Sequence, residues 1–299
     1  SVSGLFAGLS LYAQHEIERP NSVVGVVIDQ LRWDYLYRYQ DRYSKGGFNR
    51  LLNEGFSNEN TYIPYIPTYT AIGHSTIYTG SVPAIHGIAG NDFIIQATGQ
   101  EMYCTQDDSV NGVGTTSKAG KMSPKNLLTS TVTDQLKLAT NFRSKVFGVS
   151  LKDRGGILPA GHFADAAFWF DSESGNWISS TFYMNELPKW LQKFNDKKLT
   201  EKYLDKWSTL YPIETYVQSE KDGNPYRENY KGATKMQFPY DLKALKKENG
   251  LGLIRSTPFG NSITKDIAIE IIDNEKLGQN EKGITDFLAV SFSSTDYVG

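Results

Sequence analysis

Asp29, Thr70, Lys152, Arg154 and Asp296 are the residues of this chain whose types and surroundings point to chemistry. Asp29 follows the apolar run VVGVVI (Val23–Ile28). Lys152, Asp153 and Arg154 follow VFGVSL (Val146–Leu151), and Asp296 closes SSTD after DFLAVSF (Asp286–Phe292). Short β-branched runs of this kind read as strands buried on both faces. Open parallel sheets bind ligands beyond the carboxyl ends of their strands, so two carboxylates and two cations are expected on one edge. A single charge after a strand is usually a turn or a cap, whereas three strand ends together point to a shared site. Thr70 lies in IPTYTAIGHSTIYTG (Ile66–Gly80), which holds four threonines, a serine and two tyrosines around one histidine. It precedes a helical-looking run and so belongs at or near a helix N-terminus, where free amides favour anions. A plain N-cap is the alternative reading of Thr70. A threonine hydroxyl is a poor nucleophile at neutral pH without an adjacent base or a metal. Histidine and cysteine are scarce, so a metal held partly by carboxylates is the expected activator.

The elements that must position these residues are strands alternating with helices. Helices are expected over Gly47 to Glu54, Thr70 to Tyr78, Leu127 to Thr140, and Asn261 to Glu275, the last starting at Asn261 or Ser262. The pattern predicts an α/β fold, a mostly parallel central sheet flanked by helices. Residues from about 172 to 255 are rich in Lys, Asn, Tyr and Trp with weak periodicity, and read as a cap-like inserted segment or a second small domain. GVGTTSKAGKMS (Gly112–Ser123) brushes against a phosphate loop. Its spacing is wrong, however, and Met122 follows Lys121 where Ser or Thr is needed, so it reads as a flexible loop.

Composition narrows the classes. Of the 299 residues 39% are hydrophobic and 21% charged, as in ordinary globular proteins. Thirty-one basic residues against 33 acidic ones give a net charge of −2, which offers no bulk attraction to nucleic acid or an anionic membrane. The lone Cys104 excludes an internal disulfide and a cysteine-based zinc site. SVSGLFAGLSLYAQ at the N-terminus reads as the end of a signal-peptide apolar region with cleavage after Ala13; a short buried helix or strand is the alternative. The expected location is periplasmic or secreted, with no membrane span after signal removal.

At this point the sequence resembles the alkaline phosphatase superfamily, in the branch of nucleotide pyrophosphatase/phosphodiesterases and phosphate-irrepressible bacterial alkaline phosphatases. The matching stretches are VVIDQLRWDY around Asp29, PTYTAIGHSTIYTGSVPAIHGIAGND (Pro67–Asp92), SLKDRGGILPAGH (Ser150–His162) and the terminal SSTDYVG. The resemblance implies an alkaline phosphatase-like fold over residues 22–299 and two zinc ions in one site. It makes Asp29 a ligand of one zinc, Thr70 both the nucleophile and a ligand of that zinc, and Asp296 a ligand of the other. Asn91 would donate to a phosphoryl oxygen, and Lys152 and Arg154 would contact the phosphate dianion. The implied substrates are small phosphate monoesters, cleaved through a phosphothreonine intermediate, with no protein partner indicated.

Zinc lowers the pKa of a bound hydroxyl, and paired cations suit the extra charge of a monoester. Thr68, Ser75, Thr76 and Thr79 are expected to be helix and packing residues. His74 and His86 read as satisfied structural histidines, His162 as a packing residue, and His15 as lying beside the cleavage site. Each zinc needs about three protein ligands, and the chain stops one residue before an expected histidine ligand, with an Asp-His pair and another histidine also missing. The chain therefore reads as an inactive internal fragment of a longer enzyme. A phosphodiesterase or nucleotide pyrophosphatase is the near rival, and a non-catalytic phosphate-binding relative the more distant one.

Overall fold

The computed structural model describes residues 18–220, 222–223, 229–233, 237–280 and 283–298. The proposed leader over residues 1–13 and His15 lie outside them. A six-stranded sheet forms the centre. Its strands are β1 (Ser22–Ile28), β2 (Gly112–Val113), β3 (Val146–Ser150), β4 (Ala166–Asp171), β5 (Asn176–Ser180) and β6 (Asp286–Phe292), in spatial order β1-β6-β3-β4-β5-β2. The pairs β1–β6, β6–β3 and β3–β4 are parallel, whereas β5 runs antiparallel to both β4 and β2. The register sets Ile28 beside Phe292 and Ser291 beside Ser150. Three carboxyl ends are thereby level, and the residues that follow them share one edge.

Helices cover both faces. On one side lie α1 (Thr70–Thr79), α2 (Val132–Ala139) and α3 (Asp153–Ala160). Ala71 of α1 and Leu158 of α3 share an apolar cluster with Ile88, Cys104 and Leu127. On the other side α4 (Lys189–Asp196) and α5 (Pro258–Glu275) bury Leu191, Phe194, Ile263, Ile267 and Ile271 against Phe147, Val149, Phe168 and Leu288 of the sheet. The short α6 (Ser294–Val298) follows β6 and carries Asp296. Glycine lets α3 close on the sheet: a Cβ on Gly148 would sit 2.2 Å from the Gly156 carbonyl oxygen. A larger residue there would displace the start of α3, and with it Lys152 and Arg154. Among the described residues, no helix is long and apolar enough to cross a membrane.

Several expectations are corrected. β1 is not buried on both faces: Val24 is 47% and Val26 53% exposed, because β1 is an edge strand with one face uncovered among the described residues. The helix expected from Leu127 starts at Val132, where a capping box between Thr131 and Asp134 fixes its end. The helix expected from Asn261 starts at Pro258 with Thr257 at its N-cap, since proline fits the first helical turn. The segment around Gly112 is no flexible loop: it supplies β2 and a 3₁₀ turn at Lys118–Gly120, and the Ala119 carbonyl accepts from Trp169 Nε1 at 2.8 Å. The insertion does not begin at about 172, because β5 belongs to the central sheet. Farther along, Leu204, Tyr240, Leu242, Leu253 and Ile254 are buried in the main core rather than in one of their own.

Candidate active site

Thr70 is the first residue of α1, and Tyr69, in extended conformation, is its N-cap. This frees the Thr70 side chain from capping, so the N-cap reading fails. Its Oγ1 donates to Asp29 Oδ2 at 2.9 Å and accepts from Lys152 Nζ at 2.9 Å. Lys152 Nζ also donates to the same Asp29 oxygen at 2.5 Å and to Asp296 Oδ2. All three ammonium hydrogens are thus engaged. The three strand ends converge as expected: Asp29 follows β1 and donates its own amide to the Phe292 carbonyl at 2.9 Å, Lys152 follows β3, and Asp296 follows β6. The Lys152 side chain is 1% exposed and that of Asp296 33%, so the cluster opens on the Asp296 side. Two carboxylates around one ammonium leave a local excess of negative charge.

The layer beneath fixes Thr70. His74 is buried one turn along α1, with Nδ1 2.7 Å from the Thr70 carbonyl oxygen and Nε2 2.8 Å from Ser291 Oγ. Burial holds its pKa below the ordinary histidine value, against the pull of Asp29. His86 is likewise satisfied, by Thr76 Oγ1 and the Ile88 amide. Thr79 Oγ1 donates to the Ser75 carbonyl at 2.7 Å, a helix role as expected, while Thr68 is exposed. Asn91 Oδ1 accepts from the Ala71 amide at 3.1 Å, which seats the Asn91 carboxamide next to Thr70 and commits its oxygen to the protein.

Arg154 departs from Lys152. As the second residue of α3 it turns to Tyr103, donating from Nη1 to the phenol oxygen at 2.8 Å. Tyr103 in turn donates to Asp153 Oδ1 at 2.7 Å, and Thr105 donates to Asp153 Oδ2 at 2.7 Å. Burial, reinforced by Asp153, pushes the Tyr103 phenol well above its usual pKa, so it stays a neutral donor. Burial works against the charge on Arg154, and Tyr103 and Asp153 outweigh it, so its pKa is raised. Arg154 Nε is buried without a hydrogen-bond partner, an orphan donor that an anion entering the site would satisfy. Lys152 and Arg154 both line a pocket of about 300 Å³, with Tyr103, Tyr297 and Arg255 in the same wall. Nothing in the sequence signalled Tyr103, Tyr297 or Arg255; Asp153 stood in view between the two cations.

His162 lies elsewhere. Its Nδ1 is 3.0 Å from Asp134 Oδ2 and its Nε2 2.9 Å from the Leu127 carbonyl oxygen, a packing role in line with expectation.

A mostly parallel sheet with a threonine on a helix N-terminus, facing carboxylates delivered by neighbouring strands, is an alkaline phosphatase-like α/β architecture. The chain belongs to the type I phosphodiesterase / nucleotide pyrophosphatase family, whose model matches residues 23–299. It is 65% identical over 295 residues to a Myroides odoratus protein named a calcium-transporting ATPase, covering 98% of this chain and 54% of that protein. It is 57% identical over 284 residues to alkaline phosphatase PhoV of Synechococcus elongatus, covering 95% and 51%. Alkaline phosphatase PafA of Elizabethkingia meningoseptica is 52% identical over 301 residues, covering 100% of this chain and 54% of that protein. The crystal structure of wild-type PafA superposes with a TM-score of 0.90, covering 94% of this chain and 54% of that one. A PafA variant with a threonine, an asparagine, a lysine and an arginine substituted gives 0.91 at 51% identity, with the same coverage of 94% and 54%. The chain spans about half the length of these relatives.

Proposed function

We propose that the protein is a zinc-dependent alkaline phosphatase that hydrolyses phosphate monoesters through a phosphothreonine at Thr70. One observation carries this reading: the Thr70 hydroxyl stands at a helix N-terminus between a carboxylate and an ammonium, and Arg154, two residues after that lysine, keeps an orphan donor. Thr70 Oγ forms the new P–O bond as the P–O bond to the ester oxygen breaks, and the proton lost from the hydroxyl is matched by the one the leaving alcohol takes up. Water then cleaves the phosphothreonine, which releases inorganic phosphate and restores the hydroxyl. Phosphoryl transfer asks little more of a protein than positioning and charge stabilisation. Asp29 Oδ2 already accepts the hydrogen bond of that hydroxyl, and Lys152 donates to the same oxygen that would attack. Asn91 has its carboxamide nitrogen left to donate to a phosphoryl oxygen. The residue types substituted in the PafA variant are those of Thr70, Asn91, Lys152 and Arg154, which supports these roles.

The donor set fits part of a metal site. Asp29, Thr70 and Asp296 each place an oxygen on one cationic atom, Lys152 Nζ. Among the described residues, no group of three or more His, Cys, Asp or Glu side chains is arranged to hold a metal, so these three supply oxygen ligands and not a closed coordination shell. Asp29 and Thr70 would hold one zinc and Asp296 the other, and zinc there would supply Lewis acidity that lowers the threonine pKa.

A phosphodiesterase reading is favoured by one observation: Lys152 is ion-paired with both Asp29 and Asp296, so its charge is already matched, and of the two cations Arg154 alone keeps a donor open to an anion. Trapping separates chemistry from binding. Acid quenching during turnover of phenyl phosphate, followed by peptide mass analysis, is expected to find phosphate on Thr70. A phosphorylated peptide elsewhere, or none in an enzyme that turns over, overturns the nucleophile.

A further inference from the structure

The pocket beside Lys152 and Arg154 has a third cation. Arg255 lies in the 3₁₀ segment Leu251–Ser256 and lines the same wall of the roughly 300 Å³ pocket. Its guanidinium lies 4.8 Å from the Tyr297 ring centroid and donates from Nη1 to the Tyr297 hydroxyl at 3.3 Å; its Nε donates to the Gly252 carbonyl, also at 3.3 Å. Tyr297 follows Asp296, and its ring centre is 5.0 Å from Lys152 Nζ on its other contact. One tyrosine thus ties Arg255 to the reacting end of the site.

The charges in this pocket are unequally matched. Lys152 is met by Asp29 and Asp296, and Arg154 lies 3.8 Å from Asp153. Arg255 forms no ion pair with a carboxylate among the described residues. The acids of the wall are committed elsewhere or open to water. Asp153 accepts from Tyr103 and Thr105, and Asp171 from Thr115 and Ser174. Glu173 is exposed, so its charge is screened. A half-buried guanidinium, oriented by an aromatic face and lacking a counter-ion, is a ready acceptor site for an anion.

We infer that Arg255 forms a second anion subsite, which recognises a negatively charged group on the organic part of the phosphate ester. The preferred substrates are monoesters that carry a carboxylate or a second phosphate, rather than neutral alkyl or aryl phosphates. This rests on the phosphatase reading and deepens it.

The test compares kcat/KM for 4-carboxyphenyl phosphate and phenyl phosphate in the purified, zinc-loaded full-length wild-type protein and in its Arg255→Met and Arg255→Lys variants. Methionine keeps the apolar stem beside Tyr297 and removes the charge. Wild type is expected to favour the carboxylated ester by about tenfold, the size of one charge-assisted hydrogen bond. Arg255→Met brings that ratio close to one, chiefly through KM, and Arg255→Lys restores part of it. An unchanged ratio in Arg255→Met, or an equal fall for both esters, overturns the subsite; the second result makes Arg255 a positioning residue acting through Tyr297. If wild type hydrolyses neither ester, the phosphatase reading itself fails.

Discussion

Two carboxylates, the half-buried Asp29 and the fully buried Asp134, sit in opposite circumstances. Asp134 is closed off by its own neighbourhood: its oxygens accept from the Thr131, His162 and Phe163 amides, and His162 Nδ1 lies 3.0 Å away. Burial pushes the Asp134 carboxyl up, but the bonds from His162 and those amides outweigh it and hold it below the usual range. Asp29 shares one oxygen between a threonine and a lysine, with a second carboxylate, Asp296, on the same ammonium. The first arrangement is saturated and self-consistent, as a buried charge in a scaffold must be. The second concentrates like charges on one edge, which a fold tolerates where a ligand completes the balance.

The comparison is broken most sharply by substituting one residue on each side. Thr70→Ala is expected to lower kcat/KM for a phosphate monoester by at least about a thousandfold, with the thermal midpoint within a degree or two of wild type. A variant that loses stability in step with activity would place Thr70 in the scaffold instead. Lys152→Met follows, with a loss of roughly a hundredfold in monoester turnover from the missing charge-assisted contacts; steady-state kinetics reads it. Asp134→Ala is the converse. It strands several buried donors and is expected to cost about 3 kcal/mol, read as a drop in the urea midpoint, while the kcat of the folded fraction holds. Because the Asp134 carboxyl titrates below its unfolded value, this stabilisation is present above roughly pH 4 and fades as pH falls further. The gap between wild type and variant therefore narrows in acid.

The smallest effect concerns His162. Its hydrogen bond to Asp134 raises its pKa, against the opposing effect of burial. A raised folded value means the contribution is full below the unfolded pKa of about 6.5 and is lost as pH rises through the folded one. Urea midpoints measured on either side of neutrality are expected to fall with rising pH in wild type, and to fall less in His162→Gln. Equal slopes would remove the charge from that pair.

Much of this was legible in the sequence. The runs at Val23, Val146 and Asp286 gave three strands, and the residues after them gave Asp29, Lys152 and Asp296, because a strand end fixes the edge on which its next residue emerges. The sequence also showed Thr70 as a helix start. Burial was harder: Val24 and Val26 read as core, although whether an edge strand is covered depends on elements distant in sequence. The different fates of Lys152 and Arg154 were not legible either. Both follow β3, but Lys152 precedes α3 and Arg154 lies in its first turn, and the helical rotation turns Arg154 toward Tyr103, a residue 51 positions away in the chain. Arg255 and Tyr297 belong to the same class, since their meeting is a tertiary event without a local pattern.

The phosphatase we propose needs this edge of the sheet to receive a phosphate dianion. The measurement that tests it most directly is kcat/KM for an aryl phosphate monoester against its matched methyl diester, with the zinc-loaded protein and with Lys152 and Arg154 both changed to alanine. A strong monoester preference that collapses in the double variant is expected. A diester preference, or a monoester preference that survives loss of both cations, would contradict the account and return Lys152 and Arg154 to the role of ion-paired scaffold residues.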